Sequence, residues 1–166
     1  MVILSQFNGA VIDKDRRYRF LLWRFWNNAP RILFIGLNPS SANELTDDPT
    51  IRRLCSFAKK WGYGGLYACN LCSFITPYTK GLLSEIIPHG ANIPAIQMAL
   101  KLSDLIICGW GDGIKYLPNG EKLVKQICDL SESPMCFGLN KSGNPMHPLY
   151  LELETELIEF NYKGRK

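Results

Sequence analysis

The sequence has no hydrophobic run long enough to cross a membrane. A membrane-spanning helix needs roughly 20 consecutive apolar residues, whereas Arg24 interrupts the apolar stretch at 21–26 and the run at 32–37 has only the length of a strand. The first residues also lack the basic segment and the long apolar segment of a secretory signal. We therefore expect no membrane partner and a cytoplasmic location.

Residue types that bind metals are few or poorly spaced. The chain has 2 histidines, His89 and His147, and its 6 cysteines include a single Cys-x-x-Cys, at 69–72, with no second pair. A structural zinc site needs four such ligands at characteristic spacings. We expect no metal, no cofactor and buried free thiols, as in a reducing compartment; an iron–sulfur site is the alternative.

Several common catalytic motifs are missing as well. The sequence contains no Gly-x-Gly-x-x-Gly after its first apolar strand, no Walker A loop, no Gly-x-Ser-x-Gly and no His-Glu-x-x-His. These motifs belong to dinucleotide-binding domains, P-loop nucleotide hydrolases, serine hydrolases and zinc proteases. The chain is therefore not predicted to belong to any of these classes.

Positive charge is concentrated in the first part of the chain. The net charge is +4, but residues 1–60 hold 10 Lys and Arg against 5 Asp and Glu, while the remainder holds 9 against 10. Such an asymmetry suits a polyanionic partner that approaches one side, and it also arises from ordinary solvated surface charge. Nucleic acid or a free nucleotide is the expected partner; the sequence identifies no protein partner.

The alternation of apolar runs and amphipathic segments predicts an α/β fold. The length of 166 residues favours one domain, 1–166, with a core at about 17–151 and a C-terminal extension at 152–166. The pattern predicts a hairpin at 9–26, strands at 31–36, 66–72, 104–108 and 134–138, and helices that begin near Asp48, Asn92 and Asn119. We expect a three-layer α/β/α sandwich with a mainly parallel central sheet and an N-terminal β-hairpin.

Polar or glycine-rich segments follow each of the predicted parallel strands, at 38–40, 70–74, 109–113 and 140–147. Ligands of parallel α/β sheets bind beyond the carboxyl ends of the strands, so these segments are expected to meet in one cleft. They supply mostly neutral amides, hydroxyls, a histidine and backbone N–H groups. Such groups suit a polar, uncharged ring or the positioning of a water molecule.

Three of these motifs resemble those of a known superfamily. Gly36-Leu-Asn-Pro-Ser40, Asn70 with Pro77, and His147-Pro148 resemble, in this order, the motifs of the mismatch-specific thymine/uracil branch of the uracil-DNA glycosylase superfamily. The combined runs LNPSSA, DDPTIRR, WGYGG, NL, GWG and HPLYL also resemble a bacterial and phage domain family without an established function, over about 17–151. The resemblance implies a uracil-DNA-glycosylase-like fold.

The resemblance also implies roles for individual residues. Asn38 would orient the attacking water and His147 would donate to the base oxygen that gains charge, which makes these two the catalytic candidates. Asn70 would bind the base edge and Phe74 would stack on the base. The complete set of predicted substrate-binding residues is Gly36, Leu37, Pro39, Ser40, Asn70, Phe74, Trp110 and Lys141, and the predicted phosphate contacts are Arg52 and Arg53.

The function expected from these residues is binding of a nucleobase or nucleotide, with metal-independent hydrolysis of an N-glycosidic bond in DNA or nucleotides. The chain has Leu149 and Tyr150 where the glycosylases have a serine and then an apolar wedge, so a free nucleotide fits as well as duplex DNA. Two alternatives remain: a non-catalytic nucleotide- or DNA-binding module, connected with phage–host interaction or defence, and an enzyme that acts on modified nucleotides.

Overall fold

Seven strands form one sheet in the computed structural model, which describes residues 7–162. The strands are β1 (Asn8–Ile12), β2 (Arg19–Phe25), β3 (Arg31–Gly36), β4 (Gly65–Asn70), β5 (Leu105–Cys108), β6 (Met135–Cys136) and β7 (Ile158–Glu159). The α-helices of this part of the chain are α1 (Pro49–Lys60), α2 (Asn92–Lys101) and α3 (Gly120–Leu130), and 3₁₀ helices span Thr79–Ser84 and Asp112–Tyr116. No helix within residues 7–162 has the length and apolar character needed to cross a membrane.

The sheet is mixed, which corrects the expectation of a mainly parallel one. Its strand order is β1-β2-β4-β3-β5-β6-β7. The four inner strands, β4, β3, β5 and β6, are parallel, whereas β1 and β2 at one edge and β7 at the other pair antiparallel. The predicted N-terminal hairpin is confirmed as β1 and β2. It adds to the edge of the parallel strands and supplies two of the three antiparallel pairings, and β6 with β7 supplies the third.

Helices cover both faces of the sheet. Successive side chains of β3 alternate between two buried clusters, with Ile32 and Phe34 in one and Leu33 and Ile35 in the other, as the pleat of a strand requires. Helix α1 packs in the first cluster and helices α2 and α3 pack in the second. Phe160, from the segment expected to be an extension, is 6% exposed and belongs to the second cluster.

The start of α1 follows the predicted signal. Asp48 is the N-cap residue, and its Oδ1 accepts a hydrogen bond from the backbone N–H of Ile51 at 2.9 Å. Pro49 occupies the first helical position, where a missing N–H costs nothing and the fixed φ of proline suits the helix. The cap places Asp48 near the carboxyl end of β3.

The other two predicted caps are different in the structure. Asn92 lies inside α2, whose cap residue is Ala91, and its Nδ2 donates to the backbone oxygens of Asn70 at 3.0 Å and Leu71 at 3.1 Å. Asn119 does precede α3, but in the left-handed conformation with φ of 58° and without a side-chain cap bond. The predicted cap at Asn92 is wrong, because an asparagine that binds a strand end and one that caps a helix look alike in sequence.

The six cysteines are free thiols, four of them buried and two half-buried: Cys69, Cys72, Cys108 and Cys136, then Cys55 and Cys128. Burial raises the pKa of Cys69 to about 12 and that of Cys55 to about 11. Because the thiolate is the reactive form of cysteine, these two are poor nucleophiles at neutral pH. Within residues 7–162 no group of three or more His, Cys, Asp or Glu side chains is arranged to hold a metal ion.

Candidate functional site

The carboxyl ends of β3, β4 and β5 open into one cavity of about 340 Å³. The inner parallel strands end at the same edge of the sheet, so the loops that follow them meet there. Eight of the twelve residues proposed from the sequence line this cavity: Gly36, Leu37, Asn38, Pro39, Ser40, Asn70, Trp110 and His147. They come from all three strand ends and from the loop that follows β6.

Phe74 and Lys141 lie elsewhere. The Phe74 ring is half-buried and packs against Tyr18, with the ring centroids 5.8 Å apart. It is therefore not placed to stack on a base in the cavity. Lys141 is exposed and also does not line the cavity.

Arg52 and Arg53 lie on a separate, shallow hollow that also includes Tyr150. The Arg53 guanidinium donates to the backbone oxygen of Leu151, and the Arg52 guanidinium donates to that of Asp47 at 2.9 Å. Both guanidinium groups thus donate hydrogen bonds to nearby backbone oxygens. A phosphate contact from either side chain would be made outside the cavity.

Asn38 has a defined amide orientation. Its Nδ2 donates to the backbone oxygens of Pro39 at 3.0 Å and Thr76 at 2.8 Å, and the backbone N–H of Thr76 returns a bond to the Pro39 oxygen at 3.0 Å. Because a carbonyl oxygen only accepts, the nitrogen of the amide has to face these two oxygens. Oδ1 of Asn38 is therefore an acceptor left for a ligand or a water.

His147 is a neutral donor at the mouth of the cavity. The backbone N–H of Leu149 donates to its Nδ1 at 3.2 Å, which leaves the ring proton on Nε2. His147 is an exposed residue, but its imidazole loses hydration to the surrounding protein. This desolvation lowers the pKa of His147 and outweighs the negative charge of Asp48, which raises it. At neutral pH the imidazole is uncharged, with an N–H group available for a hydrogen bond.

The loop that carries the histidine is fastened to the turn after β5. Asp112 accepts hydrogen bonds from Oγ of Ser142 and from Nδ2 of Asn144, the latter at 3.0 Å. These hydrogen bonds lower the pKa of Asp112, and the bond from Ser142 contributes most. Gly111, at φ of 65°, donates its backbone N–H to the oxygen of Pro145 at 2.9 Å. Asp112 therefore anchors the loop as a carboxylate engaged by two donors.

Arg19 and Asp48 also line the cavity and are not among the twelve predicted site residues. Arg19 is only 4% exposed and donates to the backbone oxygen of Ala42 at 3.0 Å and to Oδ1 of Asn70 at 3.2 Å. Burial lowers its pKa to about 10, so it stays charged at neutral pH. The sequence does contain an indication of this role. An arginine in a mostly apolar strand is costly to bury unless its charge has a partner.

The pKa of His147 gives a direct test of this geometry. We expect His147 to titrate below its ordinary value of 6.5, because the fold removes hydration from the imidazolium and because Nδ1 already accepts a hydrogen bond. Titration of the two histidine ring signals by NMR measures it, with the His89→Gln variant used for assignment. A pKa above 6.5 for His147 would contradict the neutral donor described here.

The geometry defines an α/β protein with a polar cavity at the carboxyl ends of its parallel strands. The chain belongs to the family described as Protein of unknown function (DUF1643), whose profile matches residues 19–149. The predicted membership of a domain family without an established function is thereby confirmed, and the matched segment contains every residue that lines the cavity. No curated protein and no solved structure matches the chain, and nothing in these comparisons links it to the uracil-DNA glycosylases.

Proposed function

We propose that the cavity binds a nucleobase, carried by a nucleotide or a nucleic acid, and that the protein hydrolyses its N-glycosidic bond without a metal. One observation carries the proposal: a single cavity presents an unpaired acceptor, Oδ1 of Asn38, and a neutral donor, Nε2–H of His147. Hydrolysis of a glycosidic bond needs an acceptor to aim a water and a donor to stabilise the departing base.

The proposed reaction uses each group in the form that the structure gives it. Asn38 accepts a hydrogen bond from the water and so directs a lone pair towards C1′ of the sugar. The new C–O bond forms as the C1′–N bond breaks. The electron pair of the C1′–N bond passes to the base, where a carbonyl oxygen becomes negative. His147 donates to that oxygen, and the proton released by the water ends on the departing base. Neither side chain changes its own protonation state.

The dimensions and walls of the cavity support a base of this kind. Its volume of about 340 Å³ lies within the range of small-ligand clefts, roughly 300–1,000 Å³. Phe34, Leu37 and Trp110 give it apolar walls, as a flat heterocycle requires. The proposal includes a glycosylase-like fold, which the position of the cavity at the ends of β3, β4 and β5 supports.

Release of a base is the measurement that tests the proposal. The full chain is incubated with DNA containing uracil, G·T and G·U mismatches or hydroxymethyluracil, and separately with free nucleotides. Abasic sites are measured by alkaline cleavage, and free bases by chromatography. We expect at least one substrate to release its base at a rate that a chelator does not change. Failure of every substrate to release base contradicts the catalytic proposal.

The second candidate is a module that binds a nucleotide or DNA without cleaving it. The observation in its favour is that both amide hydrogens of Asn38 already serve the backbone oxygens of Pro39 and Thr76, so this side chain has a complete structural role without catalysis. Binding of a substrate from the same panel without release of its base supports this candidate over the first.

A further inference from the structure

Two arginines of β2 are buried to the same extent and differ in how their charge is satisfied. Arg24 and Arg19 are each 4% exposed. Nε of Arg24 pairs with Asp47 at 2.7 Å. Its two terminal nitrogens donate to four backbone oxygens, those of Gly9, Trp23, Asn43 and Thr46. Arg24 therefore has five bonds for its five N–H groups, as expected of a buried arginine that holds structure.

The guanidinium of Arg19 has fewer hydrogen-bond partners than N–H groups. Its two hydrogen bonds go to neutral acceptors, the backbone oxygen of Ala42 and Oδ1 of Asn70. Its buried Nε has no hydrogen-bond partner, and among the four ion pairs found in residues 7–162 none involves Arg19. A buried charge without an ion pair is unusual unless something else supplies the acceptor. Arg19 lines the cavity, where a ligand can do so.

Arg19 also determines what Asn70 offers to a ligand. A guanidinium only donates, so the atom of Asn70 that faces it has to be the oxygen Oδ1. Nδ2 of Asn70 is then the atom left for the cavity. It lies close to Gly36, because a Cβ added at Gly36 would be 2.9 Å from this nitrogen. Asn70 is therefore a donor towards the ligand, rather than an amide that both donates and accepts.

The acceptor on this wall is Asp48, which is 8% exposed. Its Oδ1 accepts the cap bond from Ile51, but its Oδ2 has only a long contact of 3.4 Å with the backbone N–H of Ala42. A carboxylate oxygen has capacity for a second hydrogen bond. Asp48 thus supplies an acceptor with spare capacity in the same cavity as the donors of Arg19 and Asn70.

We propose that Arg19, Asn70 and Asp48 form one recognition edge for a lactam, the ring C=O beside a ring N–H that uracil, thymine, hypoxanthine and guanine share. Arg19 and Nδ2 of Asn70 donate to the carbonyl oxygen, and Asp48 accepts from the N–H. The inference rests on the proposed function, because it identifies the class of base in the same cavity. It assigns recognition to Arg19 and Asp48, which are not among the twelve predicted site residues.

A lactam fits this wall better than a phosphate does. Asp48 contributes a negative charge close enough to influence both Arg19 and His147, and a phosphate dianion would meet it with repulsion. A lactam offers a partly negative oxygen to the arginine and a hydrogen to the carboxylate. It therefore satisfies both charges at once without adding a net charge to a buried site.

Matched nucleosides test the proposed edge in the full chain. Uridine is compared with N3-methyluridine, which lacks the ring N–H, and with 4-thiouridine, which keeps the ring N–H and replaces the 4-oxo oxygen by a weakly accepting sulfur. Inosine is compared in the same way with 1-methylinosine and 6-thioinosine, and inorganic phosphate is a separate probe. Calorimetry is expected to show at least one lactam nucleoside binding on the order of tenfold or more tighter than both of its analogues.

Three variants assign this preference to residues. Arg19→Gln is expected to abolish the preference for the oxo group, and Asp48→Asn the preference for the N–H; asparagine still caps a helix well, so the second change preserves α1. Asn70→Asp gives Arg19 a carboxylate partner, so it is expected to fold at least as stably as wild type and to bind lactam nucleosides more weakly. Exposed Arg17, changed to Gln, removes the same charge as a control and is expected to bind like wild type.

The outcomes separate this inference from the proposed function. If the wild-type protein binds no nucleoside, nucleotide or DNA probe, the proposed function fails and the inference fails with it. If it binds bases but does not distinguish lactams from their analogues, or if Asn70→Asp binds like wild type, the base-binding function stands and the recognition edge is wrong. Phosphate binding that depends on Arg19, without any preference among bases, also overturns the edge.

Discussion

The Arg24→Ala variant is expected to lose roughly 3–5 kcal/mol of unfolding free energy, because buried acceptors left without a donor cost about 1–3 kcal/mol each. The change leaves the Asp47 carboxylate without its partner and removes the donor from four backbone oxygens. These oxygens belong to β1, β2 and the loop before α1, so the side chain ties the edge hairpin to the loop that ends in Asp48. Denaturant unfolding followed by circular dichroism measures the effect.

Arg16→Ala is the matched control for this loss. Arg16 also pairs with a carboxylate, that of Glu44, but the pair is exposed on the surface. Exposed pairs contribute only about 0–1 kcal/mol, so this variant is expected to unfold close to wild type. A loss for Arg24→Ala no greater than that of the exposed control would show that water reaches the Arg24 guanidinium in the native state.

The contrast between these arginines changes the meaning of the positive charge near the N-terminus. The sequence predicts a surplus in residues 1–60, which suits a polyanion on one side. In the structure Arg19 and Arg24 are buried, and Arg16 is paired with Glu44. Arg52 and Arg53 hold backbone oxygens outside the cavity. Of the ten positive side chains in residues 1–60, two are therefore buried and at least three more have partners within the protein. This favours a ligand recognised in the cavity over a broad electrostatic surface.

The position of the cavity could be predicted because it depends only on the order of strands and loops. Asn38, Asn70 and Trp110 follow or end apolar strands, and parallel strands place their carboxyl ends together whatever their order in the sheet. His147 reaches the same place through the loop after β6. The start of α1 could be predicted for a local reason as well, since Asp48 and Pro49 carry the cap and the first turn by themselves.

The contributions of Arg19 and Asn92 could not be predicted because they depend on pairings between distant segments. Arg19 reaches the cavity because β2 joins the sheet antiparallel to β4, and nothing within the hairpin sequence specifies which edge it joins. Asn92 fastens the end of β4 through the backbone oxygens of Asn70 and Leu71, a contact across more than twenty residues of chain. Local propensity carries no information on either.

Under the catalytic proposal, His147→Ala is expected to lower the rate of base release by roughly 10²–10³-fold, as the loss of one donor to a developing oxyanion does in other hydrolases. The structure predicts that substrate affinity changes much less than rate, because the hydrogen bond strengthens only as the base becomes negative. His147→Gln, which keeps an N–H donor on a side chain of similar reach, is expected to recover part of the rate.

His89→Ala is the control, since it changes the other histidine, whose ring packs between Tyr18 and Phe20 away from the cavity. Single-turnover rates on the preferred substrate, measured from pH 5 to pH 8, give a further distinction. The wild-type rate is expected to persist as His147 loses its proton, because the neutral imidazole is the donor, whereas a proton-transferring histidine would make the rate fall. If His147→Ala and His89→Ala release base at the same rate, the donor role of His147 is wrong, and the neutral imidazole at the cavity mouth serves only to hold the loop.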